Sequence, residues 1–353
     1  RLIVPGLFWP GDDAAAAYRE VELPALQRLL ARGRKSIQHG HSYESWLIEH
    51  FVTGPAPDDE HDRTDAAPPI AAYSALADGH DARSGYWLRA DPVHLLVDRD
   101  SIGLIDAERL PLTSAESARM IDALNAHFSA DGLQWALGTP SRWYVRIAEP
   151  IALSTRTLSA VRGRAIEAFM PTGPDARRWS TRLTETQMLL HGLPVNDERE
   201  ARGERPINSV WWWGGGMLAT AASGKTLKSD AITADEPIAR GMGLALGRSA
   251  QPLPVSATAL ISSEGGVHDI VLDQARTAAD YLDLDAWRAA VETIERNWIA
   301  PLVEALRDRR IGMLTLVAFG ADEVLSVELI AGDLRAFWRR SRSIDRYLHA
   351  TRS

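Results

Sequence analysis

The chain has 353 residues, of which 45% are hydrophobic and 24% charged, a balance that fits one large globular domain or a domain carrying an insertion. Its formal net charge is -8, so general attraction for nucleic acid or an anionic membrane surface is weak. The absence of cysteine excludes disulfides, thiolate metal sites and a cysteine nucleophile. No apolar run reaches the roughly 20 residues of a membrane helix, and we expect a cytoplasmic protein.

Hydrophobic periodicity predicts alternating strands and helices in the first half of the chain. A hydroxyl at Thr113 followed by Glu116 forms a capping box that opens a helix. In chain order the elements are a strand at 2–4, a helix at 21–33, a surface loop at 53–69, a short helix at 70–77, strand segments at 86–89 and 93–97, the capped helix from 113, and strands at 133–136 and 143–147.

The second half continues the alternation. It predicts a helix ending near 191, a strand at 210–213 with a tight glycine turn at 214–216, strands at 229–233 and 257–262, a helix at 236–246, a long amphipathic helix at 287–307, a buried strand at 311–317, an edge strand at 324–330 and a basic segment from 333. This alternation favours an α/β core. We expect that core at 1–85 and 171–353, with an inserted α+β subdomain at 86–170.

The densest group of polar and aromatic residues spans 194–216. It contains Asn196, Arg199 and Asn208, together with three consecutive tryptophans and three consecutive glycines. Arginine offers a planar fork to carboxylate or phosphate, and asparagine offers both a donor and an acceptor. The segment therefore suits an anionic, hydroxylated ligand, although a buried strand followed by a glycine turn explains the same residues equally well.

An ordered set of motifs resembles a known family. The set is Pro194-Val195-Asn196, Arg199, Gly203, Pro206-Ile207-Asn208 and Val210-Trp211-Trp212-Trp213-Gly214-Gly215-Gly216, preceded by Tyr86–Asp91 and Gly138–Arg142. It is similar to segments of the cofactor-independent, archaeal-type phosphoglycerate mutases of the alkaline-phosphatase superfamily. The match keeps Arg89 and Arg142 and has Asp91 where the family has Asn. The resemblance implies an alkaline-phosphatase-like mixed sheet flanked by helices, with an inserted α+β subdomain.

The chemistry that the resemblance implies needs two divalent metals and a nucleophilic serine. Pro5 stands where the family has its first metal-binding Asp. The family's Gly-His segment is missing from 275–283, and its Asp-His segment is missing from 318–322. We therefore assign no metal ligands and expect no cofactor, with Mn, Zn or Mg required only if the protein is an active enzyme.

Ser45 takes the position of the family's nucleophile. It stands nine residues before Gly54, with Pro57 completing the motif, but Trp46 replaces the Asp that follows the serine in the family. A solvent-facing helix serine is the plainer interpretation. Nearby His39, His41, Glu44 and His50 offer metal-ligand chemistry, although histidines in a polar loop usually belong to the surface.

Three further motifs are weaker indications of function. Ser223-Gly224-Lys225-Thr226 resembles the end of a phosphate-binding loop, but Ala219 replaces its required first glycine. Gly241-Met242-Gly243 follows a helix pattern instead of a strand, which argues against a dinucleotide site. A C-terminal basic segment is either an exposed helix face or a contact for a phosphate-rich partner; it contains Arg335, Arg339, Arg340, Arg342 and Arg346.

The sequence thus predicts a degenerate phosphoglycerate-mutase-like protein without catalysis, in a regulatory role. The resemblance extends to a bacterial branch labelled as regulatory proteins of a pathogenicity-factor cluster. We expect it to bind a small phosphorylated or carboxylated ligand, a protein partner or a second copy of itself; the ligand-binding candidates are Arg89, Asp91, Arg142, Asn196, Arg199 and Asn208. One alternative is an active metal-dependent mutase or phosphatase rebuilt around Ser45. The other is a purely structural or interaction protein.

Overall fold

A computed structural model describes residues 1–11, 14–53, 68–97, 101–218, 229–261, 265–320, 323–336, 338–339 and 344–347. Several residues of the predicted motifs lie outside this described part: Gly54, Pro57, Ser223 to Thr226, Asp322, Arg340 and Arg342. Within it, no helix is long and apolar enough to cross a membrane.

The described strands are, in chain order, β1 (Leu2–Val4), β2 (Arg34–His39), β3 (Tyr86–Val97), β4 (Ile102–Asp106), β5 (Gln134–Thr139), β6 (Arg142–Ile147), β7 (Ser209–Gly216), β8 (Ala231–Ala234), β9 (Ser249–Gln251), β10 (His268–Val271), β11 (Met313–Phe319) and β12 (Glu323–Ile330). The helices are α1 (Ala14–Ala17), α2 (Pro24–Arg32), α3 (Tyr43–Ile48), α4 (Ala71–Ala77), α5 (Ser114–Phe128), α6 (Leu158–Val161), α7 (Ala176–His191), α8 (Pro194–Ala201), α9 (Pro237–Ala245), α10 (Arg276–Asp280), α11 (Leu284–Ile294) and α12 (Ala300–Arg307). Short 3-10 turns lie at Ala257–Ala259 and Asp333–Arg335, and π-helical turns lie at Glu49–Thr53 and Glu295–Ile299.

The chain divides into two compact units. Unit 1 comprises Arg1–Leu47, Gly224–Gly243 and Gly247–Ser353, and unit 2 comprises Ile48–Ser223 with Leu244–Leu246. Unit 2 extends beyond the predicted insertion of 86–170 at both ends. The reason is strand pairing, because β7 pairs along β3 and α4 packs against the same strand.

Unit 1 contains a seven-stranded mixed sheet in the order β2-β12-β11-β1-β10-β8-β9. The five strands from β11 to β9 run parallel, whereas β12 is antiparallel to both of its neighbours. β1 and β11 are short apolar runs buried on both faces, as strands covered by helices must be. This confirms the predicted α/β class and its mixed sheet flanked by helices.

The long amphipathic helix predicted at 287–307 is found as α11, a π-helical turn and α12. Its apolar face packs into the core of unit 1 through Trp287, Trp298 and Leu306. The widened turn directly precedes Pro301, which has no amide hydrogen to donate back along the helix. The π turn places Glu295 against the start of α2, where it accepts hydrogen bonds from Ala25 N at 2.6 Å and from Leu26 N at 3.0 Å.

Unit 2 contains a five-stranded antiparallel sheet built around β3, which pairs with β4, β6 and β7. One sheet face is apolar and packs under α5 and α7, with Trp143 and Trp212 in its core. Thr113 and Glu116 form both hydrogen bonds of the predicted capping box at the start of α5. Residues of β3 alternate between faces, so Arg89 and Asp91 share the face opposite to Leu88.

Four local predictions are wrong, each for a physical reason. The two strand segments at 86–97 are one strand, because β7 pairs along its middle, with Pro92 opposite Val210, between the residues that pair with β6 and those that pair with β4. The glycines at 214–216 continue β7, since Pro69 and Tyr86 pack too closely for a Cβ at two of them. The segment predicted as a strand at 257–262 contains a 3-10 turn at Ala257–Ala259. The strand predicted to lie at the sheet edge, β12, lies inside the sheet because the polar strand β2 pairs with its outer side.

Candidate functional site

The carboxyl ends of the parallel strands in unit 1 form one edge of its sheet. In open α/β sheets, ligands bind beyond this edge. The segments that leave it begin at Pro5 after β1, Asp235 after β8 and Leu272 after β10. β2 also ends there at His39, because it runs parallel to β11.

Four side chains, which we call the edge cluster, meet at this edge: Tyr43, Glu44, Glu236 and Arg276. The Arg276 guanidinium donates a short hydrogen bond to the Glu44 carboxylate. Its Cζ atom also lies 4.7 Å from the centroid of the Tyr43 ring, a cation–π contact. A buried cation is therefore fixed between a carboxylate and an aromatic face.

Glu236 links the edge cluster to the start of α9. Its carboxylate accepts hydrogen bonds from Ile238 N at 2.9 Å and Ala239 N at 2.8 Å, which caps the helix. The same carboxylate accepts the Tyr43 hydroxyl at 3.0 Å. All the polar groups that converge here thus have partners inside the protein.

Burial and mutual charge govern the ionisation of the edge cluster. Burial raises the pKa of Tyr43, and the neighbouring Glu236 carboxylate raises it further. Burial likewise raises the pKa of Glu236, although the amides of α9 act against it. Burial alone would lower the pKa of Arg276, but the charges of Glu44 and Asp280 raise it above its ordinary value. Arg276 therefore stays cationic at every pH at which the protein is folded.

The turn after β1 packs directly on the backbone of Arg276. Gly6 has φ +75°, and a Cβ built on it would lie 2.5 Å from the Arg276 Cα. The Gly6 carbonyl accepts the Trp287 indole N–H at 2.8 Å. Backbone atoms of Ala275 and Arg276 thus pack closely against Gly6, the residue that follows Pro5.

Ser45 lies on α3, next to the edge cluster in sequence. Its Oγ donates to the Ser42 carbonyl at 3.0 Å and lies 3.1 Å from the Ser42 Oγ. It is half-buried, and its hydrogen bonds to Ser42 are those of a residue in the first turn of a helix. The hydroxyl of Ser45 is thus hydrogen-bonded locally, and its assignment as a nucleophile stays a prediction.

The nearby candidates for metal ligands have other partners. Glu44 pairs with Arg276, and His39 Nδ1 lies 3.7 Å from the Glu323 carboxylate across β2 and β12. Among the residues that the structure describes, no group of three or more His, Cys, Asp or Glu side chains is arranged to hold a metal ion. These donors do not fit the two-metal centre that the resemblance implies.

The predicted pair Arg89 and Asp91 lies in unit 2, at the centre of a buried hydrogen-bond network. Arg89 Nη2 donates to both Asp91 oxygens at 2.8 Å, and its Nε donates at 3.0 Å. Trp213 Nε1 donates to the same carboxylate at 2.7 Å, and its ring lies 4.9 Å from the Arg89 Cζ. Burial raises the pKa of Asp91 against the lowering effect of Arg89.

Arg142 belongs to the same network through Asp78, with both bonds of a forked pair at 2.6 Å. Tyr144 also donates to Asp78 at 2.7 Å, and Ser74 joins Tyr144 to the Arg89 guanidinium at 2.7 and 3.0 Å. The structure thus brings Arg89, Asp91 and Arg142 together. Each of the two arginines already has an internal carboxylate.

The remaining predicted ligand-binding residues lie in separate networks of unit 2. Arg199 is fully buried and donates to Arg205 O at 2.9 Å, Pro111 O at 3.1 Å and Glu116 at 3.2 Å. Its Nη2 is buried without a hydrogen-bond partner among the described residues. Asn196 and Asn208 have other partners.

The two asparagines bridge backbone segments. Asn196 bonds both the amide and the carbonyl of Ile207, at 2.9 and 2.8 Å. Asn208 does the same for Leu95, at 2.7 and 3.0 Å. Both therefore act as substitutes for a strand partner, which is the packing alternative that the sequence left open.

Sequence reasoning missed most of the residues that complete these sites. Glu236 could have been found, because a carboxylate directly before Pro237 at a helix start is a capping signal. Asp78 and Ser74 follow no motif, since their partners are 64 and 70 residues away. Arg276 stands inside the segment searched for Gly-His, but its role depends on a contact with a residue 232 positions earlier.

No protein-family model matches the chain. Over 148 residues it is 25% identical to the 2,3-bisphosphoglycerate-independent phosphoglycerate mutase of Methanosarcina mazei, which covers 40% of this chain and 37% of that protein. Over 242 residues it is 22% identical to the same-named protein of Methanosarcina acetivorans, covering 65% and 58%. The matched region thus spans about a third to three fifths of these relatives.

Two solved structures are similar across nearly the whole chain. The PH0037 protein of Pyrococcus horikoshii has a TM-score of 0.57 and 12% identity, over 93% of this chain and 86% of that one. The cofactor-independent phosphoglycerate mutase of Thermoplasma acidophilum has a TM-score of 0.45 and 20% identity, over 94% and 90%.

The fold is that of an α/β protein with a mixed sheet flanked by helices, and the PH0037 protein shares it. In sequence the chain is similar, over part of its length, to 2,3-bisphosphoglycerate-independent phosphoglycerate mutases, which is the similarity that its ordered motifs predicted.

Proposed function

We propose that this protein is a non-catalytic relative of the phosphoglycerate mutases that works by binding, in a regulatory role and without a metal cofactor. It would act in the cytoplasm by binding a small ligand, a protein partner or a second copy of the chain, without converting a substrate. The proposal concerns what replaced the metal chemistry at the carboxyl edge of unit 1.

One observation carries the proposal. The Arg276 guanidinium is held against Glu44 and over the Tyr43 ring at the edge where a divalent cation would be needed. A fixed organic cation balances the buried carboxylate, but it offers no open coordination position for a phosphoryl group and cannot lower the pKa of a serine as a metal does. Pro5 removes a further donor from the same edge.

The predicted anion-binding arginines of unit 2 are already held in ion pairs inside the protein. An anion that bound Arg89 or Arg142 would have to displace Asp91 or Asp78 from a buried ion pair, which is costly in free energy. We propose that these pairs serve the folding of unit 2, and that ligand recognition takes place elsewhere.

The test is a mutase and phosphatase assay with 3-phosphoglycerate, 2-phosphoglycerate and p-nitrophenyl phosphate. Purified protein is stripped with EDTA and then supplied with Mn²⁺, Zn²⁺ or Mg²⁺. We expect no turnover above that of a Ser45→Ala variant in any of these conditions. Metal-stimulated turnover that Ser45→Ala abolishes would establish the enzyme alternative and overturn the proposal.

A further inference from the structure

A cavity of about 620 Å³ lies within unit 1, along the groove between α2 and α12. Its volume falls in the range of small-molecule sites. Leu334 and Arg335, from the 3-10 turn Asp333–Arg335 that follows β12, also line it. β12 is antiparallel to β11, so this turn leaves the sheet at the edge opposite to the carboxyl ends of the parallel strands. The cavity is therefore distinct from the edge cluster.

Arginine dominates the charged lining of this cavity. Five arginines and two glutamates line it, a formal charge of +3 in a protein whose net charge is -8. The arginines are Arg28, Arg32, Arg307, Arg309 and Arg335. Such a local excess of guanidinium groups on an acidic protein concentrates anions at one place.

Part of this charge has a structural use. Arg32 donates to the Leu334 carbonyl, and Arg307 pairs with the exposed Asp308 at 3.1 Å. Both also stand in the last turns of their helices, where a cation is favourable. Arg309 and Arg335 form no salt bridge with any residue that the structure describes, and Arg28 is an exposed cation near Glu295.

Arg309 occupies a backbone conformation that favours glycine. It follows α12 with φ +60°, and the amides of Arg309 and Arg310 bond back to Leu306 O and Ala305 O at 3.1 and 2.8 Å. This is the left-handed helix end that usually carries glycine. An arginine there is strained relative to glycine.

From the cavity, the arginine excess and the misplaced residue at 309, we infer that this groove binds a small molecule carrying at least two phosphate or carboxylate groups. Guanidinium forks suit such groups because they donate two parallel hydrogen bonds to each. Arg335, which lines the groove, also belongs to the C-terminal basic segment for which the sequence left a contact with a phosphate-rich partner open. The inference does not depend on whether the protein is catalytic.

Calorimetric titration with inorganic pyrophosphate at constant ionic strength tests the site. Orthophosphate, which carries one phosphate group instead of two, is the comparison ligand. We expect saturable binding of one pyrophosphate per chain. Arg28→Ala, Arg335→Ala and Arg309→Gly should each weaken it about tenfold, and orthophosphate should bind far more weakly. Arg178→Ala, an exposed arginine on α7, is the matched control and should bind as the wild type does.

Arg309→Gly separates ligand recognition from folding. Without ligand this variant should melt at a higher temperature than the wild type, because glycine suits φ +60°, while pyrophosphate binding falls. Absence of saturable binding, equal affinity for orthophosphate, or wild-type affinity in all three variants would overturn the inference. Turnover is measured separately, so the failure of this site and the failure of the proposed function give different results.

Discussion

The Arg276 guanidinium and the Glu44 carboxylate form an ion pair beyond the carboxyl ends of the parallel strands of unit 1, with side chains only 17% and 2% exposed. Neither partner can be removed alone without leaving a buried charge unpaired. The energetic contribution of this pair can be measured directly.

Removing the cation should be strongly destabilising. We expect Arg276→Met to lower the free energy of unfolding by about 3–5 kcal/mol, because Glu44 is left buried and unpaired. The double variant with Glu44→Gln should lose less than the single variant. Urea unfolding measures both.

The control for that experiment is an exposed pair. Arg119 and Glu198 are each 49% exposed, and Arg119→Met should cost no more than about 1 kcal/mol. Equal losses in Arg276→Met and Arg119→Met would mean that burial of the first pair contributes nothing.

The close approach of Gly6 to Arg276 gives a second prediction. Gly6→Ala should cost several kcal/mol, because its Cβ would lie 2.5 Å from the Arg276 Cα and its φ is +75°. Gly247→Ala has a similar φ of +66° and open space around the Cβ, so it should cost about 1 kcal/mol. Thermal melts of the two variants should differ clearly; the same loss in both would contradict the packing at Gly6.

Asp78 should make the stability of the protein depend on pH. Burial acts to raise its pKa, but hydrogen bonds and charge from Arg142, with the Tyr144 hydroxyl, lower it below its ordinary value. A carboxyl group with a lowered folded-state pKa stabilises the fold above its unfolded pKa of about 3.9, and this contribution is lost as the pH falls.

We therefore expect the free energy of unfolding to fall more steeply between about pH 5 and pH 3 in the wild type than in Asp78→Asn. The comparison uses the slope of the free energy of unfolding against pH, because Asp78→Asn also changes its absolute value by removing the partner of Arg142. Exposed Asp81 supplies the control, because Asp81→Asn should keep the wild-type slope. A slope unchanged by Asp78→Asn would show that its carboxylate gains nothing from the network.

Trp211 and Trp213 allow an indole hydrogen bond to a neutral acceptor to be compared with one to a charged acceptor. Trp213 Nε1 donates to the Asp91 carboxylate at 2.7 Å, whereas Trp211 Nε1 donates to the Arg156 carbonyl at 2.9 Å. Trp213→Phe should lose about 1 kcal/mol more stability than Trp211→Phe, because hydrogen bonds to charged groups are worth more. The reverse order in urea unfolding would contradict the role of Trp213 in holding Asp91.

Features set by local sequence were predicted well. The capping box at Thr113 and Glu116 needs only a spacing of three residues, and it is present. The apolar periodicity at 287–307 located the long helix, although the π turn before Pro301 was missed. Alternating elements were enough to predict an α/β sheet.

Features set by distant contacts were not predicted. Asn196 and Asn208 have the side chains of a ligand site, but their amides are used by the backbone of Ile207 and Leu95. Residue type alone cannot distinguish these uses, because both satisfy the same donor and acceptor. β2 was missed for another reason: its polar sequence is typical of an edge strand and carries little hydrophobic signal.

The central claim is that an internal ion pair has replaced metal chemistry at the carboxyl edge of unit 1. Elemental analysis of the purified protein, followed by calorimetric titration of the EDTA-stripped protein with Mn²⁺ and Zn²⁺, tests it most directly. We predict far less than one metal ion per chain and no saturable binding. Two tightly bound ions per chain, lost together in Glu44→Gln, would contradict the account.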